Sequence, residues 1–462
     1  MVPEVVDPVI QSESPKIVQE IYRGSLSEPE SQRILELRNY YAGEGDIVVY
    51  NDIQRLRQEV GTIEGWKQTK EKAREELKQV PGDILEKLLE RFSPLIKNLP
   101  AGHSRGHFLR DTAYLTAIFQ DNEISEHDSV EVFVGMVGGM YHDIGNSVAD
   151  RYDEAKRFSG HAEIGSDIFG RTATGLLGEN LIKMSKLVIA GHTHYLRDRI
   201  MTKGEQTRSL KPYDDEVVQG ERIAYWWTRQ SDRMDAQGPI MDVRHILTKA
   251  EPTEDFDGRE FHKVWESSGD DFKHQFSTVL RTAEKRVQLE SPESTQNVLE
   301  HLTMFARSNF NSALPYAKYD NPLYSNLITA AAEEQAEFVQ DALSQNINLT
   351  PEKREEAFEA FFKLSNMLEP AKNTPATIGL LRDKFKLLSE EDQSKWAHAF
   401  KGLVERLYPR MHLRISKVLE NKTRQVSDQD EEAKNRVQGI IDNHLHPLAL
   451  EIWETFSPSK IF

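Results

Sequence analysis

At 462 residues the chain is too long for one ordinary core, and 38% hydrophobic with 29% charged residues is an ordinary soluble balance. A formal net charge of −17 excludes broad nucleic-acid binding over the whole surface. The absence of cysteine excludes disulfides, thiolate metal sites and a Cys nucleophile, so any metal must be held by His, Asp and Glu, a donor set that suits Fe, Mn, Co, Mg or Zn.

In chain order, residues 1–16 are rich in Pro, Ser and acidic side chains and read as a poorly ordered lead-in. Residues 28–42 carry Ile34, Leu35, Leu37 and Tyr40-Tyr41 at near-helical spacing, and Gly43-Glu44-Gly45 is expected to break that helix. Ile47-Val48-Val49-Tyr50 has the composition of a short strand but no evident partner. A charged helix over 64–80 stops at Pro81-Gly82. Asp83 then caps a helix with Ile84, Leu88, Leu89, Phe92, Leu95 and Ile96 on one face, ended by Pro100-Ala101-Gly102. Helices are expected over 103–120 and 128–142, followed by a polar, partly basic connection over 144–158. Two more follow at 160–170 and 179–191, then a loop over 196–214 and a long helix from about Asp215 to Asp235.

Past an acidic linker, Glu251 to Gly258, helices are expected at 270–289, 293–306, 323–344, 351–368, 374–388, 390–407 and 428–456. Thr350-Pro351-Glu352-Lys353 and Ser389-Glu390-Glu391-Asp392 carry helix-start signals. Strand signals are sparse and no fixed-period repeat is present, so the fold class is all-α. Three parts are expected: an N-terminal helical segment over 1–98, a helical-bundle core over 99–250 and an all-α C-terminal domain over 251–462. The first twenty residues or so lack a basic start and a long apolar run, and no stretch approaches about 18 apolar residues. The expectation is a cytoplasmic protein with no membrane association.

The chemistry concentrates around Met140-Tyr141-His142-Asp143-Ile144-Gly145-Asn146. An apolar run from Val130 leads into an adjacent His-Asp pair, and a bare charged group at the end of a buried helix is costly unless paired or shared with a cation. Further polar residues fall at the ends of other expected helices: His103 and His107, four apart on one face, then His161, His192, His194 and Asp232. Metal sites in helical bundles are built from side chains that project inward from several helices. A lone histidine is more often an ordinary polar residue, and that reading is kept for His127, His245, His262, His274, His301, His398, His412, His444 and His446.

Over about residues 100–240 this pattern resembles the HD superfamily of metal-dependent phosphohydrolases. The resemblance rests on His107 with Arg110 and Ala113 behind it, on Tyr141-His142-Asp143-Ile144-Gly145, and on the distal Asp232. Gly160-His161-Ala162-Glu163-Ile164-Gly165 and Gly191-His192-Thr193 are similar to the subset with extra histidines, which usually holds two metal ions. The resemblance implies that His107, His142, Asp143 and Asp232 hold a first divalent ion and that His161 and His192 hold a second, with Asp143 bridging both. Asp143 and His103 are then the catalytic candidates. His103 occupies the position of the leaving-group acid in the similar cyclic-nucleotide phosphodiesterases, although the Asn that follows there is Ser104 here. A solvent-facing helix start is the other reading of His103.

Basic residues gather near these positions on an otherwise acidic chain: Arg105, Arg110, Arg151, Lys156, Arg157, Arg197, Arg199, Lys203, Arg208, Lys211 and Arg233. Guanidinium groups bind phosphate oxygens in pairs, so Arg110, Arg157, Arg197 and Arg233 are the substrate-binding candidates. The loops over 144–159 and 196–214 are expected to border the pocket. Trp226-Trp227 is read as core rather than as a base-stacking platform. The expected activity is hydrolysis of a small phosphorylated substrate, a nucleotide or cyclic nucleotide. Two readings compete with it: a di-iron oxygenase of the myo-inositol oxygenase type on the same ligands, and a non-catalytic regulatory or sensor protein. The C-terminal helices are left three roles: covering the site, forming a homo-oligomer, or binding a partner.

Overall fold

Apolar residues recurring at three- and four-residue steps, often behind a polar cap, build helices through nearly every described stretch. The computed structural model describes residues 14–120, 128–149, 157–192, 199–203, 206–210, 223–235, 240, 243–244, 247, 347–421 and 426–461. In order, the first half holds α1 (Ser14–Arg23), α2 (Glu28–Ala42), α3 (Glu44–Glu59), α4 (Ile63–Lys78), α5 (Ile84–Lys97), α6 (Arg105–Gln120), α7 (Ser129–Tyr141), α8 (His161–Ala173), α9 (Glu179–Gly191) and α10 (Ile223–Asp235). The second half holds α11 (Pro351–Leu368), α12 (Thr374–Lys386), α13 (Glu390–Gly402), α14 (Tyr408–Leu419), α15 (Glu431–Ile440) and α16 (His446–Thr455). The chain is all-α in class, and among the described residues no helix is long and apolar enough to cross a membrane.

Four local expectations are corrected. Ile47–Tyr50 lies inside α3, because Gly43 alone ends α2 and the chain resumes its helix at Glu44. The expected loop over 196–214 contains an antiparallel hairpin, β1 (Arg199–Lys203) on β2 (Gln206–Leu210). Asp83 makes no side-chain cap hydrogen bond and instead accepts from Lys87 Nζ at 2.7 Å. The helix expected to stop at 407 continues through a π turn (Leu403–Leu407) into α14, past Pro409, and a second π turn (Ile441–Leu445) precedes Pro447. A proline ring collides with the carbonyl four residues back in a regular α-helix, and widening the preceding turn relieves that contact. The helices expected at 270–289, 293–306 and 323–344 lie outside the described residues.

One apolar core runs from Val18 to Ile461, so the N-terminal, central and C-terminal segments share it. At its centre α7 is buried at every position and packs against α6, α9 and α10. Small residues permit this: a Cβ on Gly138 would lie 2.6 Å from Val188 Cγ1 and 2.8 Å from Thr228 Oγ1. Two helices begin on carboxylates lent by neighbours. Glu76 of α4 accepts from the Asn180 and Leu181 amides of α9, both at 2.9 Å, and Glu131 of α7 accepts from the Ala224 amide of α10 at 3.2 Å. Negative charge at a helix N-terminus satisfies its orphan amides and its dipole. The other ends of α7, α9 and α10 converge on one point.

Candidate metal centre

That point is Asp143. It follows His142, which caps the C-terminus of α7, and His192 caps the C-terminus of α9 in the same way. Both rings use one device. His142 Nδ1 lies 2.8 Å from the Gly139 carbonyl and His192 Nδ1 lies 2.7 Å from the Ile189 carbonyl, each three residues upstream. A carbonyl can only accept, so the proton belongs on Nδ1 and the Nε2 lone pair faces away from the helix. His107, one turn into α6, places Nδ1 2.7 Å from Asp235 Oδ2 with the same consequence. Partners of this kind orient metal-binding imidazoles.

The freed Nε2 atoms gather around Asp143. Its Oδ2 lies 3.2 Å from His107 Nε2 and 3.6 Å from His142 Nε2. Its Oδ1 lies 3.5 Å from His161 Nε2 and 3.3 Å from His192 Nε2. Asp232 Oδ1, from the last turn of α10, lies 3.7 Å from His107 Nε2 and 3.8 Å from His142 Nε2. Buried Nε2 atoms of His107 and His142 make no well-formed hydrogen bond among the described residues. Two ligand atoms each about 2.1 Å from one ion stand roughly 3.0–3.4 Å apart, a range that holds the His107 and His192 distances to Asp143, while the other four separations are longer than this and too long for well-formed hydrogen bonds. The buried His and Asp groups can hold a metal ion.

His161 is fixed from before and behind. The Phe158 and Ser159 amides donate to Asp46 at 3.2 and 2.9 Å, and the Gly160 amide donates to Glu163 at 2.9 Å across the first turn of α8. Gly145 lets the segment after Asp143 approach this turn, since a Cβ there would fall 1.9 Å from the His161 carbonyl oxygen and 2.6 Å from the Gly165 amide nitrogen. Both are backbone atoms and cannot swing aside. Gly145→Ala is expected to destabilise the protein by about 1–3 kcal/mol, read as a lowered thermal midpoint. An unchanged midpoint would show that this backbone contact is not as tight as described.

Burial disfavours charge on every group here, and the neighbours decide the balance. For His107, burial and Arg244 push the imidazolium pKa down, but the carboxylates of Asp143 and Asp235 outweigh them and carry it up to about 10. Burial pushes His192 down to about 4 against the pull of Asp143, leaving it neutral at pH 7. Burial opposes the charge of Asp143, yet His103 and His142 hold its carboxyl well below the ordinary range. Burial also opposes Asp235, and Arg110 and His107 keep it ionised.

Seven of the eight residues of the expected cluster are brought together: His103, His107, His142, Asp143, His161, His192 and Asp232. His103 precedes α6 rather than opening it, and its Nδ1 lies 2.6 Å from Asp143 Oδ2. Its side chain is 30% exposed, the most open of the five rings. Arg110, expected to contact substrate, is instead fully buried and held by Asp235, Glu369 and the Leu368 carbonyl. Arg105 is likewise engaged, with the Pro370, Ile21 and Gly24 carbonyls. Arg157 is 7% exposed and its buried Nη1 makes no hydrogen bond among the described residues. Arg197 and His194 lie outside the described residues, as do Arg151, Lys156 and Lys211 and the side chains of Arg199, Lys203, Arg208 and Arg233.

Sequence reasoning missed four contributors. Asp235 follows Asp232 by three, so both share one helical face, a signal that was present. Asn146 donates to Asp143 Oδ1 at 3.0 Å from within the same motif. Asp111 lies 3.3 Å from His142 Nδ1 and accepts from Ser231 Oγ at 3.1 Å. Glu369 arrives from 259 residues away. Comparison with known proteins finds no family model, no curated protein and no solved structure that matches this chain.

Proposed function

We propose that the centre holds two divalent ions and hydrolyses a phosphate ester, of the nucleotide or cyclic-nucleotide class, with a metal-activated water. The observation that carries this reading is the division of Asp143. One of its oxygens faces His107 and His142, beside Asp232, and the other faces His161 and His192. A carboxylate between two histidine sets is the arrangement of a bridging ligand. His107, His142, Asp143 and Asp232 would hold the first ion, and His161, His192 and Asp143 the second. The imidazole-rich donor set favours Fe, Mn, Co or Zn over Mg. When bound, such a pair supplies a nucleophilic water at neutral pH and neutralises the phosphoryl oxygens.

The chain's own groups do the rest. Gly139, Ile189 and Asp235 keep the Nδ1 protons in place, so three Nε2 lone pairs would be free to bind the ions. His103, the most exposed ring, is the candidate to pass a proton to the leaving oxygen. Arg157, buried four residues before His161 with an open Nη1, is the candidate to bind an outer phosphate oxygen.

Metal analysis of the purified protein, followed by a screen of nucleotides, cyclic nucleotides and simple phosphate esters, tests the reading. His161→Ala and His192→Ala should each lower the metal content by about one ion and remove hydrolysis, while the other ion stays. Full metal content and activity in either variant would overturn the two-ion assignment. Bound iron with a mixed-valent paramagnetic signal, oxygen uptake and no phosphatase activity would replace hydrolysis with oxygenation on the same ligands.

A further inference from the structure

We infer that Glu369 is a positioning residue of the metal centre, through which the C-terminal helices set the charge that the first ion meets. This rests on the metal-binding part of the reading above and not on the reaction. Behind His107 lies a buried ionic cluster. Asp235 accepts from His107 Nδ1 at 2.7 Å and from Arg110 Nε and Nη2 at 2.7 and 2.9 Å, and it pairs with Arg244 Nη1 at 3.2 Å. With His107 neutral, as a metal ligand must be, this group of two guanidiniums and one carboxylate would carry a net positive charge next to the proposed cation site. Glu369 cancels it. Its Oε1 accepts from Arg110 Nη2 at 2.6 Å and its Oε2 from the Gly102 amide at 3.0 Å. Arg110 is 0% exposed, Asp235 0%, Glu369 0% and Arg244 5%, so water does little to screen the sum.

Glu369 is delivered by a clasp. The end of α11 and the residues just beyond it offer three carbonyl grips to the first half of the molecule. Met367 accepts from Tyr22 Oη at 2.5 Å, Leu368 from Arg110 Nη1, and Pro370 from Arg105 Nε at 2.6 Å. Gly106 admits this segment, because a Cβ there would fall 1.9 Å from the Leu368 oxygen. The segment is therefore locked on the N-terminal turn of α6, the turn that carries His107. A purely packing role for the C-terminal helices requires neither a carboxylate at this point nor a fourth charge that balances the other three.

The charge count makes predictions of opposite sign. Glu369→Gln keeps the size but leaves the cluster one charge more positive. Arg244→Gln leaves it one charge more negative. Metal-stripped full-length protein is titrated with Mn²⁺, free ion being counted by paramagnetic resonance, in a His192→Ala background that isolates the first ion. Glu369→Gln should weaken binding roughly tenfold or more, Arg244→Gln should tighten it, and the double variant should return within about threefold of the parent. Damage to packing alone predicts weaker binding in both single variants and worse in the double. Tighter binding by Arg244→Gln tests the inference even if Glu369→Gln fails to fold. Unchanged affinity in a folded Glu369→Gln, or weaker binding by Arg244→Gln, overturns it while leaving the metal centre in place. Failure of the unsubstituted protein to take up Mn²⁺ or any other divalent ion overturns both.

Discussion

Asp143→Ala is expected to give a folded protein that holds no ion in either position and hydrolyses phosphate esters at least roughly a thousandfold more slowly. The carboxylate is placed between both histidine sets, so its loss would remove a ligand from each proposed ion at once. Folding should survive, because Asp143 lies beyond the end of α7 and contributes no apolar packing. His107 also retains Asp235, and His142 and His192 retain their backbone carbonyls. Metal content by mass spectrometry, with circular dichroism as the folding control, is the measurement. A folded variant with two ions still bound would exclude Asp143 as the bridge.

The largest loss of stability is expected at Glu131, a residue far from the chemistry. Its side chain accepts from Trp66 Nε1 at 2.6 Å and from the Ala224 amide at 3.2 Å, with Lys70 at 3.6 Å. Glu131→Ala strands two buried donors at about 1–3 kcal/mol each, so a loss of roughly 3–5 kcal/mol is expected from the denaturation midpoint. Glu131→Gln retains an acceptor oxygen and should lose less. Burial raises the Glu131 carboxyl above its ordinary 4.5 against the opposing pull of Lys70 and Trp66. A raised acid gives stability below its unfolded pKa and loses it as pH climbs through the folded one, so the wild-type protein should decline over that interval and the Gln variant should not. Equal slopes for the two proteins would contradict this account. Loss of metal from Glu131→Ala is a further consequence, since α10 ends at Asp232 and Asp235.

The helices and the clustering of histidine and aspartate side chains were legible because both signals are local. A histidine at the end of an apolar run announces itself whatever lies elsewhere, and so do Thr350 and Ser389, whose hydroxyls accept from Lys353 and Asp392 as their positions suggest. What escaped is non-local. Arg110 looks like a phosphate ligand until Glu369 is placed against it, and no periodicity links those positions. Asp111 sits in the middle of α6, where an acidic residue reads as solvent-facing; Ser231 and His142 are what make it internal. The extension of α13 through Pro409 was hidden because a π turn leaves no mark in composition. Trp227, read as core, is 1% exposed and packs edge-on against Phe119. His412 and His446, read as ordinary, bond the Trp453 and Leu419 carbonyls.

The divided carboxylate of Asp143 has a thermodynamic consequence. If the centre takes two ions as proposed, their sharing of this one ligand couples their affinities. By linkage, whatever factor the first applies to the binding of the second, the second applies to the first. Cations repel, while a first ion also aligns the shared carboxylate for the next, and the balance sets whether loading is graded or all-or-none. Chelators would then meet a single coupled equilibrium, and a variant at His107 would alter the retention of an ion it never touches.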